Sequence, residues 1–209
     1  MTATPTPRLI KRYDRAALIR NKTETATFGI GCFWGPEAQF GAIDGVIRTR
    51  VGYAGGKKSD PTYHNLGDHT EVFQVDYDPT VVPYWDLLAR VFANHRPNHQ
   101  TRKIQYQNII LMGTSNQRKT LNEFLAEHGL DADALGTRIE RLLRFYPAED
   151  YHQKHSLRTD PVHSDVFDEA GYTDDEIQES PAAAKLNGYT SGHDLPDDDN
   201  LQTVLSRTV

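Results

Sequence analysis

The sequence predicts an α+β fold: a two-layer sandwich of helices on a mixed sheet, with a split β-α-β-like core and a C-terminal extension. Two observations carry this. Strand-like and helix-like stretches follow one another as strand, helix, strand, strand, helix, strand, then more helix, which suits a helical layer against a mixed or antiparallel sheet. The chain has 209 residues, 37% hydrophobic and 25% charged, enough for one compact domain with a real core.

The elements follow in order. Residues 1–22 are polar, with two prolines and several charges, and read as an N-terminal arm. Ala26 to Ile30 is a short apolar strand that runs into Gly31-Cys32-Phe33-Trp34-Gly35. Pro36 to Ala42 suits a short helix, closed by Gly45. Val46 to Tyr53 alternates and is rich in β-branched residues, a second strand. Thr70 to Tyr77 is a third, ended by Asp78-Pro79. Pro83 to Asn94 is the clearest helix, with Tyr84, Leu87, Leu88 and Val91 at i, i+3, i+4 and i+7. Gln105 to Met112 forms a fourth strand, and Ser115 to His128 a helix stopped by Gly129. Arg138 to Phe145 suits either strand or helix. Residues 160–209 form a polar, acidic extension packed on or near a catalytic domain at 23–159. Within it Ser180-Pro181 starts a helix that Gly188 should end.

Charge and cysteine count narrow the function. A net charge of −6 argues against nucleic acid or an anionic membrane as partner. No apolar run reaches membrane-spanning length, and the first residues lack the layout of a signal peptide, so the expectation is a cytoplasmic monomer. Cys32 is the only cysteine, which excludes an internal disulfide and a cysteine-rich zinc site. It is either a small buried hydrophobe or a nucleophile. Its place between strand and helix, flanked by glycines, favours the nucleophile: helix N-terminal N–H groups aimed at the sulfur should favour thiolate. Phe33 and Trp34 beside it suit a small apolar group or a sulfur bearing a methyl, or else are simple core.

The run Gly31-Cys32-Phe33-Trp34-Gly35 resembles the active-site signature of the A-type peptide methionine sulfoxide reductases. Further blocks agree in order: Gly52-Tyr53-Ala54-Gly55-Gly56, Pro61-Thr62-Tyr63, His69-Thr70-Glu71, Tyr77-Asp78-Pro79, Gln105-Tyr106 and Ala148-Glu149-Asp150-Tyr151-His152-Gln153. The similarity covers about residues 24–158. It implies a peptide-methionine (S)-S-oxide reductase that needs no cofactor or metal and acts in protein repair under oxidative stress. Its substrates would be free or peptide-bound methionine sulfoxide.

Reducing a sulfoxide needs a nucleophile at sulfur and a proton for the departing oxygen. An ordinary cysteine is about 3% thiolate at neutral pH, and lowering its pKa one unit raises that about eightfold. Nucleophilicity falls about threefold in exchange. A placed general acid contributes about 100- to 10,000-fold, so the acid is the larger lever. Glu71 is the best candidate, because its strand parity with Phe73, Val75 and Tyr77 turns it to the apolar side, where a carboxyl keeps its proton. The resemblance gives the matching Glu the role of proton donor, and matches Tyr63 and Tyr106 to tyrosines that hydrogen-bond the sulfoxide oxygen. Phe33 and Trp34 would hold the methyl group while Cys32 attacks and becomes a sulfenic acid.

The chain departs at two places from the pattern of the family it resembles. Members commonly carry further cysteines that resolve the sulfenic acid, and none exists here. An external thiol such as thioredoxin, glutaredoxin or glutathione is therefore expected to finish the cycle. The segment before Tyr106 reads Gln100-Thr101-Arg102-Lys103-Ile104-Gln105, without the family's Asp, and Arg102 and Lys103 add positive charge that would suit an anionic thiol. A redox sensor using Cys32, or a methionine-sulfoxide binder with little turnover, is the alternative. His95 and His99 have i, i+4 spacing, but Pro97 breaks the helix a metal pair would need. His152 and His155 are expected to face solvent, and Asp194 to Asp199 to be a solvated acidic tail.

Overall fold

The computed structural model describes residues 5–19 and 22–195. Most of the acidic tail, from residue 196, lies outside the described residues. A six-stranded mixed sheet runs in the order β5-β4-β1-β3-β2-β6. The strands are β1 (Glu24–Ile30), β2 (Val46–Ala54), β3 (Thr70–Tyr77), β4 (Asn108–Met112), β5 (Arg138–Arg141) and β6 (Phe145–Pro147). β1 and β2 both run antiparallel to β3, which lies between them, the split β-α-β arrangement. β4 pairs antiparallel with β1 and parallel with β5.

Strand alternation sorts the side chains. Phe28, Val51, Phe73, Val75, Tyr77 and Ile110 point to one face and meet helices α2 (Trp34–Gly41), α3 (Tyr84–Ala93) and α4 (Ser115–Glu127). The helices contribute Phe40, then Leu87, Leu88 and Val91, then Leu121, Phe124 and Leu125. The opposite parity gives a smaller cluster, Ala54, Val72, Ile109 and Leu111, under Leu142 and Phe145. The ambiguous stretch from Arg138 resolves into two short strands, β5 and β6, which close the two edges of the sheet.

The polar arm contains a helix, α1 (Pro7–Leu18), that sequence reading missed because its apolar stripe is narrow. Ile10, Tyr13 and Ala17 bury it against α6 (Pro161–Glu169), α7 (Asp174–Glu179) and α8 (Pro181–Thr190), together with Leu157 of the short helix α5 (His155–Arg158). Asp14 joins arm to extension, accepting from Tyr172 Oη, Ser180 Oγ and the Ala182 N–H. Gly188 was expected to end α8, yet the helix runs on to Thr190 and the left-handed residue beyond it is Gly192, φ 84°. Gly188 instead permits contact with α2: a Cβ there would lie 2.7 Å from Ala42 Cβ and 2.8 Å from the Ala38 carbonyl oxygen.

A buried ion pair ties these layers together. Lys154 and Glu37 are both fully buried, with Nζ 2.7 Å from Oε1. The ammonium also donates to the Thr49 carbonyl of β2 at 2.7 Å and the Gln178 carbonyl of α7 at 3.2 Å. Glu37 Oε2 takes the Lys154 N–H at 2.9 Å, holding that residue left-handed at φ 54°. Arg50 and Arg48 of β2 add ion pairs to Glu179 of α7.

Candidate active site

The register builds the site at one end of the sheet. Ile30 pairs with Asn108, so the end of β1 lies beside the start of β4; Phe28 pairs with Phe73 and Tyr53 with Glu71, so β3 starts where β1 and β2 end. Cys32, Glu71, Gln105 and Tyr106 are far apart in sequence and adjacent in space for that reason. Gly31, at φ 96°, makes the turn that lifts Cys32 off β1 onto the start of α2, a conformation side chains other than glycine rarely adopt. Cys32 is exposed.

Glu71 is only 1% exposed, as its strand parity predicted. Its Oε2 accepts the Phe33 N–H at 3.2 Å, and its Oε1 accepts from Gln105 Nε2 at 2.6 Å. Burial raises its pKa, against the opposing pull of those two donors and the Lys103 charge. Cys32 departs from expectation. Packing around the sulfur and the nearby Glu71 carboxylate hold its thiol above the ordinary value, and the Trp34 N–H opposes them without winning. Burial of the sulfur by packed side chains is the larger effect and a carboxylate 39 residues away adds to it; neither is visible in the local dipoles of a helix terminus.

Tyr63 and Tyr106 stand close to each other, and burial, the neighbouring Tyr63 and nearby Glu71 push Tyr106 up to about 12. Gln105 and Tyr106 belong not to a strand but to a tight 3-10 turn, Ile104–Tyr106, before β4 begins at Asn108. That turn swings both toward Glu71. Lys103 Nζ lies 4.3 Å from the centre of the Tyr106 ring, while Arg102 is exposed.

Phe33 is 1% exposed and packs behind the site, its ring 5.2 Å from His152 and 6.1 Å from Tyr53. Trp34 is half-buried and forms a wall. Its indole stacks on His155 at 3.7 Å, and its Nε1–H donates to His152 Nδ1 at 3.1 Å. The expectation that His152 and His155 face solvent is therefore wrong: His152 is 2% exposed and His155 half-buried. The polar segment hid them because both are buried by aromatic rings from elsewhere in the chain. Burial lowers the His152 pKa, so the ring is neutral.

Glu149 was passed over as well. Its carboxylate takes the Tyr53 hydroxyl at 2.7 Å and the Tyr63 N–H at 2.9 Å, fixing the loop that carries Tyr63. Those donors outweigh partial burial and lower its pKa. The block from Ala148 to Gln153 was the signal, since it joined the resemblance without any residue of it receiving a role. Beyond Trp34 and Tyr63 opens a cleft of about 760 Å³, bounded also by Tyr151, His155, Arg158 and Asp174. His95 is structural: its ring nitrogens face the Val91 carbonyl at 2.6 Å and Thr137 Oγ1 at 2.8 Å.

Comparison with known proteins agrees with this geometry. Residues 24–182 match the family model described as peptide methionine sulfoxide reductase. A peptide methionine sulfoxide reductase of Drosophila melanogaster is 44% identical over 171 residues, covering 80% of this chain and 68% of the relative. MsrA of Methanothermobacter thermautotrophicus is 42% identical over 147 residues, covering 65% and 87%. Among solved structures, methionine sulfoxide reductase A of Corynebacterium diphtheriae superposes with a TM-score of 0.57 at 33% identity, covering 68% of this chain and 77% of that one. Reduced Mxr1 of Saccharomyces cerevisiae gives 0.55 at 28% identity, covering 67% and 87%.

Proposed function

The chain belongs to the peptide methionine sulfoxide reductase family and is an A-type reductase of methionine sulfoxide; from that premise we propose that Cys32 attacks the sulfur of methionine-S-sulfoxide, free or peptide-bound, and that an external thiol completes the cycle. The observation that carries this reading is the buried Glu71 carboxyl, held by Phe33 and Gln105 beside the chain's one cysteine.

Trp34 receives the methyl group with Phe33 packed behind it, and Tyr63, Tyr106 and Glu71 polarise the sulfoxide oxygen. The resting pair of Cys32 and Glu71 shares one proton: with the proton on Glu71 the carboxylate no longer opposes thiolate, so nucleophile and acid become competent together. Cys32 sulfur attacks, Glu71 protonates the oxygen, and methionine leaves with the oxygen on Cys32 as sulfenic acid. A cycle that consumes external thiol suits a reducing compartment such as the cytoplasm.

The test is a single turnover without reductant, using the S and R sulfoxides separately. One methionine per chain from the S form, none from the R form, and a dimedone adduct on Cys32 are expected. Methionine release without an adduct, or release by Cys32→Ser, would overturn the mechanism.

A further inference from the structure

A sulfenic acid on a lone cysteine needs a seat for the thiol that reduces it, and the cleft beyond Trp34 offers one. We propose that this cleft docks a small carboxylate-bearing thiol, with Arg158 receiving its carboxylate; the proposal rests on the sulfenic-acid reading above. The cleft, about 760 Å³, is the size that holds a ligand of several residues' bulk, well beyond a methionine side chain.

Its polar groups ask for an acceptor. Arg158 is oriented from two sides, Nε donating to the Gln153 carbonyl at 2.9 Å and Nη1 pairing with Asp174 Oδ1 at 2.7 Å. Its Nη2 is buried and has no partner among the described residues. His152 contributes a second such group. Because the Trp34 indole can only donate, His152 Nδ1 is the acceptor, and the neutral ring's proton resides on Nε2, also buried and unpartnered. Both donors are buried atoms of residues that line one cleft, and a carboxylate seated against that wall supplies oxygen acceptors with charge assistance. His64 and His155 line the same cleft, and Asp150 and Asp174 face it with opposite charge.

The chemistry balances with two thiols. The first thiol's sulfur bonds to the Cys32 sulfenic sulfur, the S–O bond breaks, and the hydroxide leaves as water with the thiol's proton. A second thiol attacks the resulting mixed disulfide, its proton passing to the Cys32 thiolate, and departs as the oxidised dimer. The sulfenic acid is thereby reduced by two electrons, one from each thiol.

The experiment forms the sulfenic acid by one turnover, verifies it with dimedone, then follows its loss on mixing with glutathione or with uncharged 2-mercaptoethanol. In Arg158→Gln the ratio of glutathione to 2-mercaptoethanol rates should fall about tenfold or more. In Asp174→Asn, which removes the competing carboxylate, the ratio should rise. Equal losses with both thiols, or an unmoved ratio in both variants, overturn the seat. A further arm compares single-turnover methionine release from peptides bearing Asp or Asn beside the sulfoxide. If Arg158→Gln changes that preference and not the thiol ratio, the carboxylate belongs to the substrate and the proposal is wrong. A missing dimedone adduct removes the sulfenic-acid reading, and the seat with it.

Discussion

Replacing Glu71 by Gln removes its proton and its charge while keeping its size. In water a glutamic acid is protonated in about one molecule in 500 at pH 7, and each unit of upward shift multiplies that fraction tenfold. Burial moves Glu71 in that direction, restrained by Gln105, Phe33 and Lys103. Gln keeps the size and the acceptor for the Phe33 N–H but cannot release a proton. A general acid contributes about 100- to 10,000-fold, or about 2.7 to 5.5 kcal/mol of barrier. With Tyr63 and Tyr106 still able to donate to the oxygen, the loss should lie at the lower end, about 100- to 1,000-fold. The assay is rapid-quench methionine release in a single turnover, paired with the pH dependence of Cys32 alkylation. Because the Glu71 carboxylate raises the Cys32 thiol, its removal should move the alkylation midpoint to lower pH. A loss under tenfold with an unmoved midpoint would refute both the acid role and the proton-sharing pair.

Lys154→Met leaves the Glu37 charge buried alone, at about 3–5 kcal/mol; for a chain this size that lowers Tm by about 6–20 °C, and adding Glu37→Gln, which removes the charge and keeps an acceptor for the Lys154 N–H, should restore part of it in a thermal melt. Tyr84→Phe should stabilise by about 1 kcal/mol in urea unfolding, since the Tyr84 hydroxyl is buried without a partner among the described residues. Glu179, partly buried and held to about 2 by Arg50 and Arg48, has a folded pKa below its unfolded one. Its stabilisation is therefore complete above about pH 4.3 and lost as pH falls toward 2. Glu179→Gln should cost stability at neutral pH and only a small remainder of it at pH 2, as measured by urea midpoints at both.

The parts legible in the sequence are those with local signatures. The strand-to-helix turn at Cys32 and the inward parity of Glu71 follow from glycine placement and period two. The long helix at α3 follows from its i, i+3, i+4 stripe. Tyr63 and Tyr106 could be named only through resemblance, because one lies in a loop and the other in a 3-10 turn without periodicity. Glu149, His152 and Gln105 were invisible as partners: each acts through a bond that spans 34 to 118 positions. Cys32 departs from expectation first through burial by side chains distant in sequence, and then through Glu71.

The Lys154–Glu37 pair bears on where the working unit ends. The motifs finish near residue 158, yet the ammonium's third acceptor and one of the two carboxylates that Arg48 and Arg50 share belong to α7, and α2 is roofed by α8. A chain cut at 159 would strip the cover from the helix that opens at the nucleophile and leave a buried cation one acceptor short. The packed unit thus extends past the span of recognisable motifs, and shortening the protein to those motifs removes part of its own foundation.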